Sequence, residues 1–299
     1  MAKKFLLPSK GFDMLKILLW FISTDTNFLE DAIKTLERQH NGLEIVGSAV
    51  CEEINKVDVC GRYDVLLVVG AKNIGMSKII QAAHQFNLPE EKILGDWIVC
   101  IPGFTLEKYR RLQRSRLSIF SRNCFGGIIY HTLGLTFRSP IINMFFSEND
   151  FIRFLRAPRV YMEEKLILKE MKWQTDLKFY YPVVTLGNVD IYMNHYPDFD
   201  EAVAKWNERK QRINWYNLFV MMSTENEEIL QEFNALPYGK KVCFVPFKSN
   251  LDSAWYINPE LKKNLRFWDI VNHFGEGEPF YYDPFDMLLY GKKTQLIDM

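Results

Sequence analysis

From residue 14 to residue 101 the chain alternates continuous apolar runs with helical patterns, and this alternation constrains the fold more than any other feature. Residues 14–22 are nearly all apolar, and a polar cluster at 23–27 follows. Phe28, Ala32, Ile33 and Leu36 then recur at helical spacing as far as Gln39, and Asn41-Gly42 closes the helix. Further strand-like runs cover 43–50, 63–69 and 97–101, with a helix over 79–86. Strands that are apolar throughout, rather than at every second residue, are buried on both faces. Separated by helices, they predict a parallel α/β sheet.

The nucleotide-binding signatures of such sheets are missing. A dinucleotide fold wants GxGxxG directly after the first strand, where this chain has Ser23-Thr24-Asp25-Thr26-Asn27. A P-loop wants GxxxxGK[ST]. The segment Gly70-Ala71-Lys72-Asn73-Ile74-Gly75-Met76-Ser77 has Met76 in place of the lysine that meets the β- and γ-phosphates. The first body therefore reads as a small Rossmann-like parallel sheet without dinucleotide glycines, with no NAD or P-loop site expected. A helix starting after Gly75 leaves room only for an anion or a sugar hydroxyl at its N-terminus.

Aromatic residues divide the chain. Ten of the 44 Phe, Trp and Tyr fall within 1–112 and 34 within 113–299. We expect two domains with those bounds, the second a larger, mixed α/β domain. Between them, residues 107–122 hold Lys108, Arg110, Arg111, Arg114, Arg116 and Arg122 against one acid. The segment reads as a solvated helix or as a wall facing an anion.

The chemistry-bearing motifs lie in the second body. A strand over 116–121 leads into Arg122-Asn123-Cys124-Phe125-Gly126-Gly127, with a helix opening near Ile128. Ligands of open α/β sheets bind at the C-terminal ends of strands. Gly126 and Gly127 would let backbone approach a substrate. Cys124, near Arg122 at a helix start, could have a lowered pKa and act as nucleophile, or could simply pack. Strands at 182–186 and 189–196 flank Gly187-Asn188, a hairpin dipeptide. The second leads into Met193-Asn194-His195-Tyr196-Pro197, and Asp198 with Glu201 forms a capping box. His195 can serve as general base or as a structural residue. In the next helix Lys205, Arg209 and Arg212 share one face, with Trp206 on the apolar stripe and Asn214, Trp215 and Asn217 beyond. Arginine for an anion, amide for hydroxyls and indole for a sugar face would suit a carbohydrate phosphate. A solvated helix explains the same pattern.

The 37 basic and 37 acidic side chains cancel, which argues against broad nucleic-acid binding. The longest apolar run, 17–22, is too short to span a membrane and lacks a signal-peptide cleavage site. Five widely spaced cysteines, Cys51, Cys60, Cys100, Cys124 and Cys243, without CxxC or HExxH, fit reduced thiols in a cytoplasmic protein and no structural zinc.

Taken together, the 121–127 turn, Tyr181-Pro182, His195-Tyr196 and Trp206-xx-Arg209-Lys210-x-Arg212-Ile213-Asn214 resemble a bacterial domain-of-unknown-function family. Its members are often labelled exopolysaccharide biosynthesis proteins. The resemblance covers roughly 116–247. The family often has Trp after the turn cysteine, where this chain keeps an aromatic, Phe125. It implies a part in polysaccharide assembly and no particular reaction. The leading expectation is a protein that handles a phosphorylated or nucleotide-activated sugar, with transferase activity open. Arg122, Arg209 and Arg212 would hold the anion, Asn123, Asn214 and Asn217 the hydroxyls, and His195 would be the base. A non-catalytic scaffold with an aromatic surface is the alternative, and a Cys124–His195 acyl-transfer or hydrolase enzyme is a third class. The sequence leaves a homo-oligomer open and implies no metal.

Overall fold

The structure, a computed structural model, describes residues 14–23, 25–50, 54, 62–175, 178–272 and 280–298. Thr24, Cys51 and Cys60 lie outside the described residues. The chain is an α/β protein that divides into two compact units, 1–106 and 107–299.

The first unit contains β1 (Leu15–Phe21), α1 (Leu29–Gln39), β2 (Leu43–Val50), β3 (Val65–Val69), α2 (Met76–Gln85), β4 (Ile93–Gly95) and α3 (Asp96–Val99). Its four strands form one parallel sheet in the order β2-β1-β3-β4. Every residue of β3 is buried, as a run apolar on both faces requires.

The fourth strand is not where the sequence pattern put it. It is Ile93–Gly95, and Trp97-Ile98-Val99 instead form one buried helical turn. Short apolar runs carry no period that separates helix from strand. What sets the turn is Asp96, whose carboxylate accepts the N–H of Trp97 at 2.9 Å and that of Gly70 at 3.0 Å.

Helix α4 (Leu106–Arg114) leads into the second unit. There follow β5 (Ser118–Ser121), α5 (Phe125–Thr132), β6 (Phe145–Phe146), α6 (Glu148–Arg156), α7 (Pro158–Glu163), β7 (Leu166–Gln174), β8 (Phe179–Leu186) and β9 (Val189–Tyr192). Then come α8 (Phe199–Lys210), β10 (Leu218–Ser223), α9 (Glu227–Asn234), β11 (Lys241–Val245), β12 (Ala254–Tyr256), α10 (Phe267–Asn272) and α11 (Pro284–Tyr290). A parallel sheet runs β12-β11-β10-β5, and an antiparallel one runs β6-β9-β8-β7. The hairpin at Gly187-Asn188 forms, with Gly187 at φ +60°, and Asp198 caps α8 by accepting the Glu201 N–H at 2.8 Å.

Two shifted boundaries bear on the site. Helix α5 begins at Phe125, so Gly126 and Gly127 lie inside its first turn, and β9 ends at Tyr192, before His195. The aromatic excess goes mainly into the core. Phe146 packs 5.6 Å from Phe151 and 5.5 Å from Phe154, and Phe154 packs 5.7 Å from Phe120, all ring to ring.

Candidate functional site

The C-terminal end of β5 passes directly into Arg122. Its N–H donates to Met221 O at 3.1 Å and its carbonyl accepts from Phe146 N at 2.9 Å, so the residue is pinned between β10 and β6. Next, Asn123 turns the chain: its Oδ1 accepts the Phe125 N–H at 3.1 Å and the Ser121 hydroxyl at 3.4 Å. Helix α5 can start this tightly because Gly126 has no side chain. A Cβ there would lie 2.7 Å from the Ser121 Cβ. Gly126 and Gly127 are thus buried packing positions of α5 rather than an open ligand loop.

Beside this turn is a cavity of about 420 Å3, lined by Arg122, Asn123, Cys124, Phe145, Phe146, Gln174, Tyr181, Asn194, Arg266 and Trp268. The volume suits a small ligand. Two of its wall groups are unusual. The Nε of Arg122 and the Oδ1 of Asn194 are both buried, and neither has a hydrogen-bond partner. A buried donor and a buried acceptor without a partner each cost about 1–3 kcal/mol, which a hydrogen bond to a ligand or to water would offset. The other end of the Arg122 guanidinium lies 3.8 Å from Glu148. Burial pulls the Arg122 pKa down and Glu148 pulls it back up, with a net lowering that an incoming anion would oppose. At the cavity's rim Trp268 is part-exposed, with the Arg266 guanidinium 4.5 Å from its ring centre and tied to Asp269 at 2.9 Å. Phe145 stacks on Tyr192 at 4.6 Å.

Cys124 is half-buried, and burial pushes its thiol up to about 11, opposite to the shift a thiolate nucleophile needs. Its Sγ lies 3.9 Å from Met144 O, and no hydrogen bond joins it to His195. The imidazole of His195 sits in an exposed turn directly after Asn194, and desolvation lowers its pKa. It is therefore neutral at neutral pH.

The remaining sequence candidates are spread out. Trp206 is 2% exposed and belongs to the core, so neither face of its indole is open to a sugar. Arg209 donates to the Tyr196 hydroxyl at 2.7 Å and lies over the Phe137 ring. Arg212 pairs with Glu208, which also meets Lys205 at 3.6 Å, so the basic face of α8 is partly neutralised. Asn214 and Asn217 both donate to Ser115 O, and Asn217 Oδ1 accepts from Lys240 at 2.6 Å. Ser118 N–H donates to Asn217 O, so these amides lie at the N-terminal end of β5 and Arg122 at the other. Four residues of strand separate the ends by roughly 10 Å.

Phe145, Phe146, Gln174, Tyr181, Asn194, Arg266 and Trp268 complete the wall and were not among the candidate site residues. Two of them carried a signal, Asn194 as the neighbour of His195 and Tyr181 within the Tyr181-Pro182 motif. In the first unit, the Gly70 N–H of the P-loop-like segment is donated to Asp96, whose pKa burial raises. Among the described residues no group of three or more His, Cys, Asp and Glu could hold a metal ion, and no helix is long and apolar enough to cross a membrane. Three described cysteines are free: Cys243 is buried in β11, whereas Cys100 and Cys124 sit at helix ends.

Comparison with known proteins covers the second unit. Residues 99–291 match the model of the family described as Domain of unknown function (DUF1919), a span that contains every residue of the cavity wall. An "Uncharacterized protein" of Haemophilus influenzae is 35% identical over 182 residues, which cover 59% of this chain and 84% of that one.

Proposed function

The chain belongs to the DUF1919 family, and on that premise we propose that its second unit binds a phosphorylated or nucleotide-activated sugar in the cavity at the end of β5. One observation carries the reading: Arg122 and Asn194 stand in the same wall, and each keeps a buried polar atom, Nε and Oδ1, without a hydrogen-bond partner. A charged donor and a neutral acceptor together suit a ligand that is anionic at one point and hydroxylated at another. Asn123 and Gln174 add amide groups, and Trp268 adds an aromatic face at the rim. The site omits Trp206, Arg209, Arg212, Asn214 and Asn217.

For a transferase of exopolysaccharide or capsule assembly, a cytoplasmic step, the acceptor oxygen would bond to the sugar carbon as that carbon's bond to the phosphate or nucleoside diphosphate breaks and the anion leaves; His195, in the exposed turn beside Asn194 and outside the cavity wall, is the group we assign to take the acceptor's proton. Its lowered pKa keeps it neutral and able to do so. Binding and transfer separate experimentally. Melting curves with glucose 1-phosphate, uridine diphosphate glucose and glucose should show stabilisation by the charged sugars only, lost in Asn194→Ala. His195→Gln should keep that stabilisation and lose any transfer. Equal, absent or Asn194-independent stabilisation by all three overturns the binding reading.

A second reading, a scaffold without catalysis, is favoured by the exposed apolar residues of the β7–β8 hairpin.

A further inference from the structure

Strand β7 is the edge of the antiparallel sheet, hydrogen-bonded to β8 on one side only among the described residues. It is nine residues long, and seven of them are exposed. An edge strand of this length presents a row of free N–H and C=O groups that can template further pairing, and its bulge and its charged Lys169, Glu170 and Lys172 restrict which partner fits. The register with β8 sorts its side chains. Leu168 lies opposite Val184, Met171 opposite Pro182 and Trp173 opposite Tyr180, so these share the face that carries the core residues Val184 and Leu186. Toward the hairpin's tip that face runs out of cover: Leu168, Met171, Trp173 and Tyr180 are between 40% and 57% exposed. Glu170 and Lys172, opposite Val183 and Tyr181, lie on the other face. Lys169 is the extra residue of a bulge and is tied to Asp190 at 2.5 Å.

We propose that β7 pairs antiparallel with β7 of a second copy, about a two-fold axis through Met171. The strand is complementary to itself in that register. Counting the bulge as one position, Leu168 meets the partner's Trp173 and Met171 meets the partner's Met171 on the apolar face. On the other face Glu170 meets the partner's Lys172. The two-fold repeats each contact, so two Glu–Lys pairs flank the axis and no like charges oppose. A pairing of this kind joins two four-stranded sheets into one of eight, with main-chain bonds for affinity and these side chains for register. A different protein would have to supply an acid, a base and two apolar residues in the same order, whereas a second copy does so by symmetry. The proposal rests on β7 rather than on any ligand, although the strand's last residue, Gln174, also lines the cavity.

Sedimentation of the full chain across micromolar concentrations tests it. The wild type should be a dimer whose β7 amides exchange more slowly as concentration rises. Glu170→Lys opposes two pairs of lysines and should weaken the dimer about tenfold. Adding Lys172→Glu to that variant restores opposite charges and should restore the dimer, while melting temperatures of the separate chains stay alike. A monomer at every concentration overturns the proposal. So does a dimer that neither substitution changes, which would use another surface.

Discussion

Replacing Arg122 by methionine should make the ligand-free protein more stable and the liganded one less so. Methionine keeps an unbranched chain of similar length but removes the buried, unpaired Nε–H. Relief of that group is worth about 1–3 kcal/mol. Against it stands the contact with Glu148 at 3.8 Å. That carboxylate is partly solvated, so its loss costs about 0–1 kcal/mol. The net gain is about 1 kcal/mol, which in a unit of this size raises the melting temperature by roughly 2–4 °C. Binding moves the other way. An anion loses a charge-assisted hydrogen bond worth about 1.5–3 kcal/mol, an affinity loss of roughly 10- to 150-fold. Scanning calorimetry on the variant, with and without a sugar phosphate, reads both signs. A fall in the ligand-free melting temperature with unchanged affinity would falsify the reasoning, since Arg122 would then be holding the fold rather than a ligand. Opposite signs are the signature of a group kept for use at some loss of stability.

Gly126→Ala should destabilise the second unit by about 1–3 kcal/mol in urea titration, because its Cβ meets Ser121 at 2.7 Å and overpacking outweighs the helix propensity gained. Cys124 should react with iodoacetamide at neutral pH far more slowly than free cysteine, its rate rising only toward pH 11, as peptide mapping by mass spectrometry would show; fast labelling at neutral pH would restore the thiolate reading. Asp286 accepts from Lys108 at 2.7 Å and from Thr294 at 2.8 Å. Burial works against its ionisation, but these hydrogen bonds and Lys108 outweigh it and the net pKa is lowered. A carboxylate whose pKa is lower folded than unfolded contributes stability above its unfolded value of about 3.9 and loses it as pH falls through the folded one. Asp286→Asn should therefore lower stability at pH 7 and narrow its gap to wild type as acid is added below about pH 4; a gap that is constant with pH would count against the ion pair.

What the sequence made legible was local. The apolar run of β1, the Gly187-Asn188 hairpin and the Asp198 cap are each decided within a few residues, and each forms. Trp97-Ile98-Val99 was not legible, because a carboxylate and a distant glycine amide set that turn. The cavity's wall comes from elements far apart in the chain: Arg122 follows β5, Gln174 ends β7, and Trp268 lies in α10. No spacing rule connects these. Asn214 and Asn217 held a signal that their amide chemistry masked. They precede β10, and a residue before a strand of a parallel sheet sits at the end opposite the ligand crevice. Trp206 shows the same limit in another form: an aromatic on an amphipathic helix goes first to the core.

The central claim is that Arg122 and Asn194 face a ligand, and the Arg122 Nε–H is its most direct reporter. In a 15N-labelled sample, that resonance can be assigned by its loss in Arg122→Met and followed by NMR during titration. Addition of glucose 1-phosphate or uridine diphosphate glucose should produce a saturable shift, absent with glucose and reduced in Asn194→Ala. A resonance that stays put while either charged sugar binds, or that moves equally with neutral glucose, would contradict that claim.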